Sequence, residues 1–436
     1  MPSFTSDVVR SLQMGDTELR LEALQRFAVA PFPTAEQEIW RYSRIGELKL
    51  DSFSLGVLVT TVSGAEAVQT HDAGVAATIS DDGALDLFAE LNRAFMAPIC
   101  LRIPRGTAIE QPIIITHELV ADGVACFPRL VIDAQPDSEV TVIERFVSAE
   151  GIAAVIMPVL QLRAQQAARV RYLAINELGT KVWQISNQQA VGERDSTTLL
   201  ASVALGGDYA RVRTHAKLVG QGASTRQVAL YFADGDQTHD FRTTQEHIAP
   251  KTNSDLLFKG AVTDRARSVY TGLIKIGPDA RGTQAFQTNR NLTLSEGAWA
   301  ESVPNLEIET NDVKCSHAST VGPIDEDQRF YLESRGIQPE IAERLVVLGF
   351  FDEVLAQLPV GNLRAELRQR IANKLHDTEM AGSSSAALPP SSLAGSSSAA
   401  LPPRAAVRLV AGASLDADQQ TSDTSLADRQ NSDTSL

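Results

Sequence analysis

The sequence predicts a mainly β protein whose strand-rich middle part, residues 95–323, is flanked by helical segments. Between residues 99 and about 309, short runs rich in Val, Ile, Thr, Tyr and Phe are separated by Gly, Asp, Asn or Pro, which is typical of successive strands. Clear examples are the runs 113–116, 140–143, 170–173, 182–185, 228–231, 273–276 and 292–294. No convincing helix-length amphipathic pattern interrupts them, so we interpret this region as continuous β-structure.

The length of this region narrows the choice of architecture. Roughly 200 residues of short strands exceed one ordinary β-sandwich of about 100 residues, so two sheets or a β-solenoid fit better. No Asn-Gly pair, the strongest signal of a tight antiparallel hairpin, separates adjacent runs, which favours the solenoid. No sharp fixed period is visible, so the solenoid is predicted from strand content and turns rather than from repeats.

Composition is typical of a globular protein. The 436 residues are 43% hydrophobic and 21% charged, which is enough for a large core or for several domains. The formal net charge of -15 argues against general binding to nucleic acid or anionic membranes. Three scattered cysteines argue against a disulfide framework, and the N-terminus lacks the apolar centre of a signal peptide. The longest apolar run, 152–160, is short and contains Pro158, so we expect a cytoplasmic protein without a membrane-spanning helix.

The N-terminal part, residues 1–94, is predicted to form a helical or mixed domain. The segment 18–27 carries the apolar stripe of one helix, which Pro31 interrupts. A second, aromatic helix is expected over 35–44 because Thr and Gln at its start fit a capping box. A short helix over 84–94 is expected to close this domain.

Helices return in the C-terminal part, residues 324–377. Asp325 is a predicted N-cap, and acidic residues follow it in the first turn, where the helix dipole favours them. Pro339 is expected to start the next helix and Gly349 to end it, and a last amphipathic helix is predicted over 362–375. This domain either packs on the β core or forms a docking surface for a partner.

The final segment, residues 378–436, differs in composition. The sequence AGSSSAALPP occurs at 381–390 and again at 394–403, and SDTSL occurs from residues 422 and 432. Such Ser/Ala/Pro-rich repetition buries too little apolar surface to offset the entropy of ordering, so we predict disorder. The segment is then either a tether or a dispensable tail.

One short motif has the residues of a metal site. Lys314-Cys315-Ser316-His317 is the one tight cluster of possible ligands in the sequence. If the backbone is extended there, Cys315 and His317 lie on the same face because side chains alternate with a period of two. Two soft or borderline donors would then be neighbours. Cys-X-His is a weak signal by itself, and packed polar side chains are the alternative interpretation.

Several catalytic signatures do not occur in the sequence. It contains no G-x-x-x-x-G-K-[ST] phosphate loop, no G-x-S-x-G elbow and no H-E-x-x-H helix, so we expect no nucleotide hydrolysis by the phosphate-loop route. His239 and His247 are interpreted as buried polar contacts. Three cysteines cannot supply the four thiolates of an iron–sulfur cluster, so a cluster at Cys315 and His317 would need donors from another subunit.

An ordered series of motifs resembles the SufB/SufD family of iron–sulfur cluster assembly proteins. It covers roughly residues 36–375 and consists of EIWRY at 38–42, IPRG at 103–106, NRNL at 289–292, PNLEI at 304–308, VKCSH at 313–317, TVG at 320–322, IDE at 324–326 and FYLESRGI at 330–337. The Cys-Ser-His form and the low cysteine count are more similar to the SufD type than to SufB. One departure is Ala318-Ser319, where the family commonly has a Gly-Ala pair; Ala318 would cost stability if this position requires a positive φ.

The resemblance implies a right-handed parallel β-helix core flanked by helical ends. It also implies a SufBCD complex in which a SufB-type and a SufD-type subunit pair through their cores, while the SufC ATPase binds the C-terminal helices and supplies the nucleotide chemistry. His317 would be this chain's contribution to a transient iron–sulfur cluster shared with SufB, and Cys315 would lie at the same interface. A homodimer is an alternative assembly.

We therefore expect a non-catalytic scaffold subunit of a cluster assembly machine that binds no nucleotide itself. One alternative is a β-solenoid enzyme acting on carbohydrate, which would carry a row of carboxylates along one groove. Others are a SufB-like subunit that carries the cluster and a purely structural partner in which His317 has no ligand role.

Overall fold

A computed structural model of the chain describes residues 4–12, 15–65, 68–70, 86–96 and 98–385. Of the structure described, 45% is strand and 22% is helix. The strands form a parallel β-solenoid, and helices lie toward both termini, so the predicted mainly β fold with a parallel β-helix core is confirmed.

The strands and helices have the following bounds. The strands are β1 Ser54–Leu55, β2 Val59–Ser63, β3 Gln69–Thr70, β4 Ile99–Ile103, β5 Ile113–Leu119, β6 Val124–Cys126, β7 Arg129–Ala134, β8 Glu139–Ser148, β9 Ala154–Ile156, β10 Val159–Ala164, β11 Arg169–Glu177, β12 Val182–Gly192, β13 Thr197–Ala204, β14 Tyr209–Leu218, β15 Ser224–Ala233, β16 Thr238–His247, β17 Asn253–Val262, β18 Arg267–Ile276, β19 Thr283–Thr293, β20 Trp299–Ile308 and β21 Val313–Gly322. The helices are α1 Ser6–Ser11, α2 Thr17–Val29, α3 Leu87–Phe95, α4 Glu326–Glu333, α5 Pro339–Leu355 and α6 Gly361–Ser385.

Along most of the solenoid, successive strands alternate between two sheets. Sheet A contains β3, β4, β7, β10, β12, β14, β16, β18 and β20 in that order, with β1, β6 and β9 beside them. Sheet B contains β2, β5, β8, β11, β13, β15, β17, β19 and β21. Pairing is parallel except at the first end, where β2 and β3 pair antiparallel to β5 and β4. Each full coil therefore adds one strand to each sheet.

A residue with left-handed backbone conformation (positive φ) recurs at the corner where the chain passes from sheet A to sheet B. The residues with positive φ at this corner are Gly106, Asp137, Ala167, Asp195, Gly222, Lys251 and Gly282. They are 27 to 31 residues apart, one in each of the seven coils from β4–β5 to β18–β19. A coil period thus exists in the backbone although four different residue types occupy the position.

The helices pack on the outer faces of the solenoid, and its interior holds the main apolar core. Sheet A is covered by a cluster that joins Leu24, Trp40, Phe88 and Phe95 to Phe127, Trp183 and Tyr209. Sheet B is covered by a cluster that joins Val347, Phe351, Leu367 and Ile371 to Leu173, Val203, Leu230 and Phe232. The C-terminal helices α5 and α6 are therefore fixed to the core by apolar burial.

The predicted helices need several corrections. The helix expected over 35–44 is wrong, because this segment forms short 3₁₀ turns at Glu38–Trp40 and Ile45–Glu47. The predicted N-cap Asp325 and the proline start at Pro339 are confirmed. Further corrections concern helix ends: α5 continues past Gly349 to Leu355, and α6 continues past residue 375 to Ser385. The disorder predicted for 378–436 is wrong for 378–385, which belong to α6, and its remainder from 386 onward lies outside the described residues.

The two ends of the solenoid differ. The first end begins with the short antiparallel strands β2 and β3, of 5 and 2 residues. At the last end, within the described part of the chain, β20 and β21 are 10 residues long and each pairs on one side. Long unpaired edges of this kind are templates for pairing with another chain. Among the described helices, none is both long and apolar enough to cross a membrane.

Candidate functional site

Cys315 and His317 lie on the inward face of β21, the last strand of sheet B. Exposed and half-buried side chains alternate from Val313 to His317, as expected for a strand with one face toward the interior. Val313 and Cys315 pack against the small apolar cluster of Ile274, Ile276, Ala280 and Ala285. The structure therefore brings the two possible ligands to one face at the open end of the solenoid.

The Cys315 thiol is held in an apolar setting. Its neighbour in the β19–β21 ladder is Ala285, and burial raises the pKa of the thiol to about 11. The group is therefore protonated at neutral pH. Since the thiolate is the form that binds a metal ion, binding there would release a proton.

The His317 imidazole is half-buried beside a fully buried amide. Gln287 of β19 is its register partner in the ladder. The ring atom Nδ1 of His317 and both amide atoms of Gln287 are buried without a hydrogen-bond partner among the described residues. A neutral imidazole is a common ligand for iron and zinc, so His317 has the chemistry of a metal ligand.

Two further features complete the inner surface of the last coil. The Ser319 hydroxyl donates to Ser302 Oγ over 2.6 Å, which joins β21 to β20 across the solenoid interior. Ala318 lies within β21 and does not have a positive φ, so the departure from the Gly-Ala pattern causes no backbone strain. In the parts of the chain that the structure describes, no three His, Cys, Asp or Glu side chains are grouped closely enough to hold a metal ion.

The other cysteines and the two histidines named from the sequence lie elsewhere. Cys100 and Cys126 are buried in β4 and β6, toward the first end of the solenoid, and burial raises the pKa of Cys126 to about 12. His239 hydrogen-bonds the Gly206 carbonyl oxygen, and His247 bonds hydroxyls through both ring nitrogens. The interpretation of both histidines as buried polar contacts is confirmed.

A second surface with functional character lies on α4 and α5. No residue of α4 is buried, and Phe330 and Tyr331 are 70% and 56% exposed. Ile341 and Leu345 of α5 are each 43% exposed. Beside them, a groove of about 1020 Å³ runs between these helices and β19–β21. Exposed aromatic and aliphatic side chains next to a groove are typical of a protein-binding surface.

Polar contacts reinforce the attachment of α5 and α6 to the core. Lys259 of β17 is 4% exposed, donates to the Phe350 carbonyl oxygen over 2.8 Å and pairs with Glu353 at 2.6 Å. Lys374 of α6 donates to the Leu205 carbonyl oxygen over 2.7 Å and pairs with an acidic residue of the β15–β16 corner. No local sequence pattern predicts these contacts, because each joins residues that are far apart in the chain.

The comparisons with known proteins agree with this architecture. A family model described as the SufBD core domain of SUF-system iron–sulfur cluster assembly matches residues 117–350. An iron–sulfur cluster assembly SufBD family protein of Mycobacterium tuberculosis is 31% identical over 366 residues, covering 80% of this chain and 90% of the relative. The assembly protein SufD of Escherichia coli is 27% identical over 388 residues, covering 81% and 91%. SufD of Bacillus subtilis is 28% identical over 277 residues, covering 63% of each chain.

Fold and site together define a parallel β-solenoid protein that presents a thiol and an imidazole at its open end. The family match covers more than half of the chain, and the mycobacterial similarity extends over most of both proteins. The chain belongs to the SufB/SufD family of iron–sulfur cluster assembly proteins and is a SufD-type member of it.

Proposed function

We propose that this chain is a scaffold subunit of a SufBCD complex in the cytoplasm. It pairs with a SufB-type subunit through the open end of its solenoid and binds the SufC ATPase through its C-terminal helices. An iron–sulfur cluster is assembled as cargo at the interface of the two cores. The chain itself binds no nucleotide and catalyses no reaction. Family membership favours this role over that of a carbohydrate-active solenoid enzyme.

One observation carries the proposal: the possible ligands lie on a strand that has a free edge. Cys315 and His317 face the interior at the last coil, and β21 pairs with β19 on one side only within the described residues. A strand from a second subunit can pair with that edge and bring its own donors next to the thiol and imidazole. Thiolate or carboxylate groups of the partner would then complete the coordination that the two donors of this chain begin.

The position of α4 supports coupling between the two proposed interfaces. It follows β21 after only three residues, 323–325, and its exposed side chains lie beside the groove next to β19 and β21. A movement that the ATPase imposes on α4 would therefore act directly on the strand that carries Cys315 and His317. In contrast, α5 and α6 are fixed to sheet B and would move with the core.

The ligand role is tested with His317→Ala in the complete complex. We expect iron–sulfur cluster formation, followed by visible absorbance and iron content, to fall at least about ten-fold, because a direct ligand is lost. Size-exclusion chromatography should show an unchanged complex. Ser316→Ala is the matched control, since Ser316 is exposed on the opposite face of the same strand. Normal cluster formation in the His317 variant would remove the ligand role.

The docking role is tested with Phe330→Asp on α4. A charge at this exposed aromatic position should weaken binding of the SufC ATPase about ten- to a hundred-fold, as hot-spot residues do. The control is Val120→Asp, because Val120 is 53% exposed on the turn between β5 and β6, toward the first end of the solenoid, whereas α4 follows the last strand. Titration calorimetry measures both affinities. Equal affinities for the two variants would contradict the assignment of the docking surface.

A further inference from the structure

The Gln287 side chain occupies an unusual position in the solenoid interior. It is 2% exposed, and both of its amide atoms are buried without a partner among the described residues. A buried polar group without a partner is costly, so an amide kept in such a position calls for an explanation. Its register partner on the edge strand is His317, whose Nδ1 atom is buried and unpartnered in the same way.

The opposite sheet leaves room for this amide. Gly272 of β18 faces the interior, and a Cβ atom at this position would overlap the amide nitrogen of Gln287. The space that the amide occupies therefore depends on a residue without a side chain. Ladder neighbours in a sheet are about 4.8 Å apart, so a rotation of either side chain brings the amide into hydrogen-bond range of the ring.

We propose that Gln287 is the positioning residue of His317. Its amide oxygen accepts the Nδ1 proton of the imidazole, which fixes the tautomer and leaves Nε2 as the lone-pair donor toward the open end. Metal-binding histidines almost always use their second ring nitrogen in such a hydrogen bond, which sets the ring orientation and raises its basicity. This inference rests on the proposed ligand role of His317 and adds a residue to that site.

The chain offers a matched control for this role. Gln227 of β15 lies in the same inward-facing column as Gln287, two strands further from the open end. Gln227 is in register with Leu256 of β17, and Leu256 is in register with Gln287. It is 1% exposed, and both of its amide atoms are likewise unpartnered among the described residues. Replacing either glutamine by the isosteric methionine removes one buried amide of the same kind, but only Gln287 adjoins His317.

The first measurement uses the metal-free full chain, with ¹⁵N-labelled histidine to report the protonation of each ring nitrogen. We expect His317 of the wild type to carry its proton on Nδ1, and Gln287→Met to lose that preference. Gln227→Met should keep the wild-type signals. A structural role of Gln287 in packing would not move this signature, and identical ring signals in the two variants would overturn the inference.

The second measurement titrates ferrous iron without oxygen into the complex of the full chain with its SufB-type partner. Gln287→Met should lower iron affinity about 10- to 100-fold, and Gln227→Met should leave it unchanged. Equal affinities in these two variants would contradict the positioning role. If His317→Ala leaves iron affinity intact, the proposed ligand role itself fails. If His317→Ala loses iron affinity while Gln287→Met and Gln227→Met bind iron equally well, the ligand role stands and only the positioning role is overturned.

Discussion

The guanidinium carbon of Arg211 lies 3.8 Å from the centroid of the Trp40 ring, in a completely buried contact between sheet A and the N-terminal segment. The same guanidinium donates to the Ile39 carbonyl oxygen over 2.7 Å and pairs with Asp240 at 2.5 Å. Arg242 also pairs with Asp240 and donates to the Arg41 carbonyl oxygen. Asp240 therefore holds the two arginines that attach residues 39–41 to the solenoid.

Asp240→Asn should be strongly destabilising. The substitution leaves two guanidinium groups in the interior without their shared carboxylate, which costs about 3–5 kcal/mol when one partner of a buried ion pair is removed. Chemical denaturation measures the change in the free energy of unfolding. Asp255→Asn is the control, because its pair with Arg226 is about half exposed and should contribute less than about 1 kcal/mol. Similar losses of unfolding free energy in both variants would show that the buried pair contributes no more to stability than the exposed pair.

The helix α4 should exchange its amide hydrogens far faster than α5. It has no buried residue, whereas α5 buries Val347, Phe351 and Val354 against sheet B. Local opening costs little where few apolar contacts are lost, so we expect a difference on the order of 100-fold in exchange rate. Hydrogen exchange with mass spectrometry measures it in the full chain and again after the proposed SufC partner is added.

Binding of the ATPase should slow exchange in α4 and in β21, because the two are joined through residues 323–325. Exchange in β7, near the first end of the solenoid, serves as the internal reference. Exchange of α4 as slow as that of α5 in the free chain would show that α4 is not the movable element of the C-terminal part.

Acid should destabilise the chain through His247. Burial lowers its pKa from an ordinary value of 6.5 to about 4, while Thr252 and Ser254 hydroxyls satisfy both ring nitrogens. The unfolded chain takes up a proton as the pH falls below 6.5, and the folded chain does not until about pH 4. The contribution of neutral His247 to the free energy of unfolding is therefore complete above pH 6.5. It is lost progressively toward pH 4, by up to about 3 kcal/mol.

The measurement compares urea unfolding of the wild type and His247→Gln at pH 7.5, 5.5 and 4.5. The variant cannot take up this proton, so its stability should fall less steeply over that interval even if it starts lower. Parallel pH profiles for the two proteins would show that His247 does not contribute to the acid sensitivity.

Much of the fold could be predicted from strand content and turns, but its period could not. The left-handed corner position is filled by Asp137, Ala167, Gly222 and Lys251 in different coils. What recurs is a backbone conformation, and the residue types that adopt it differ because the corner is defined by the path of the chain. A repeat of this kind is invisible to a comparison of sequence segments.

The segment 34–44 shows why local patterns mislead. Its capping residues and aromatics are compatible with a helix, but Arg211 and Arg242 take the carbonyl oxygens of Ile39 and Arg41 as acceptors. Those carbonyls accept from the arginines in place of the amides four residues on, and Tyr42 has a φ of 65°, which ends the helical path. Contacts from residues about 170 to 200 positions away thus override the local propensity.

The candidate site was predictable only in part for a related reason. Period-two alternation was enough to set Cys315 and His317 on one face of a strand. Gln287 was not foreseen because its place beside His317 depends on the pairing register of β19 and β21, which the sequence does not display. The same holds for Gly272, whose missing side chain matters only once the two sheets face each other.

The open end of the solenoid should tolerate charge in the free chain but not in the complex. Leu306, Ile308 and Val321 are 37%, 42% and 39% exposed at the last coil, where an apolar partner surface would cover them. Ile308→Lys should therefore lower affinity for the SufB-type subunit about ten- to a hundred-fold, roughly 1.4–3 kcal/mol, because it buries an unpaired charge in the interface. Its thermal unfolding should stay close to that of the wild type.

Ile248→Lys provides the comparison for this substitution, since Ile248 is 43% exposed at the corner between β16 and β17, two coils before the last. Affinity for the SufB-type subunit is measured by titration calorimetry, and SufC binding is measured in parallel. The lysine at 308 should leave SufC binding unchanged because the surface proposed for SufC lies on α4 and α5. If both lysine variants bind the SufB-type subunit like the wild type, the subunits do not meet at the free edges of β20 and β21.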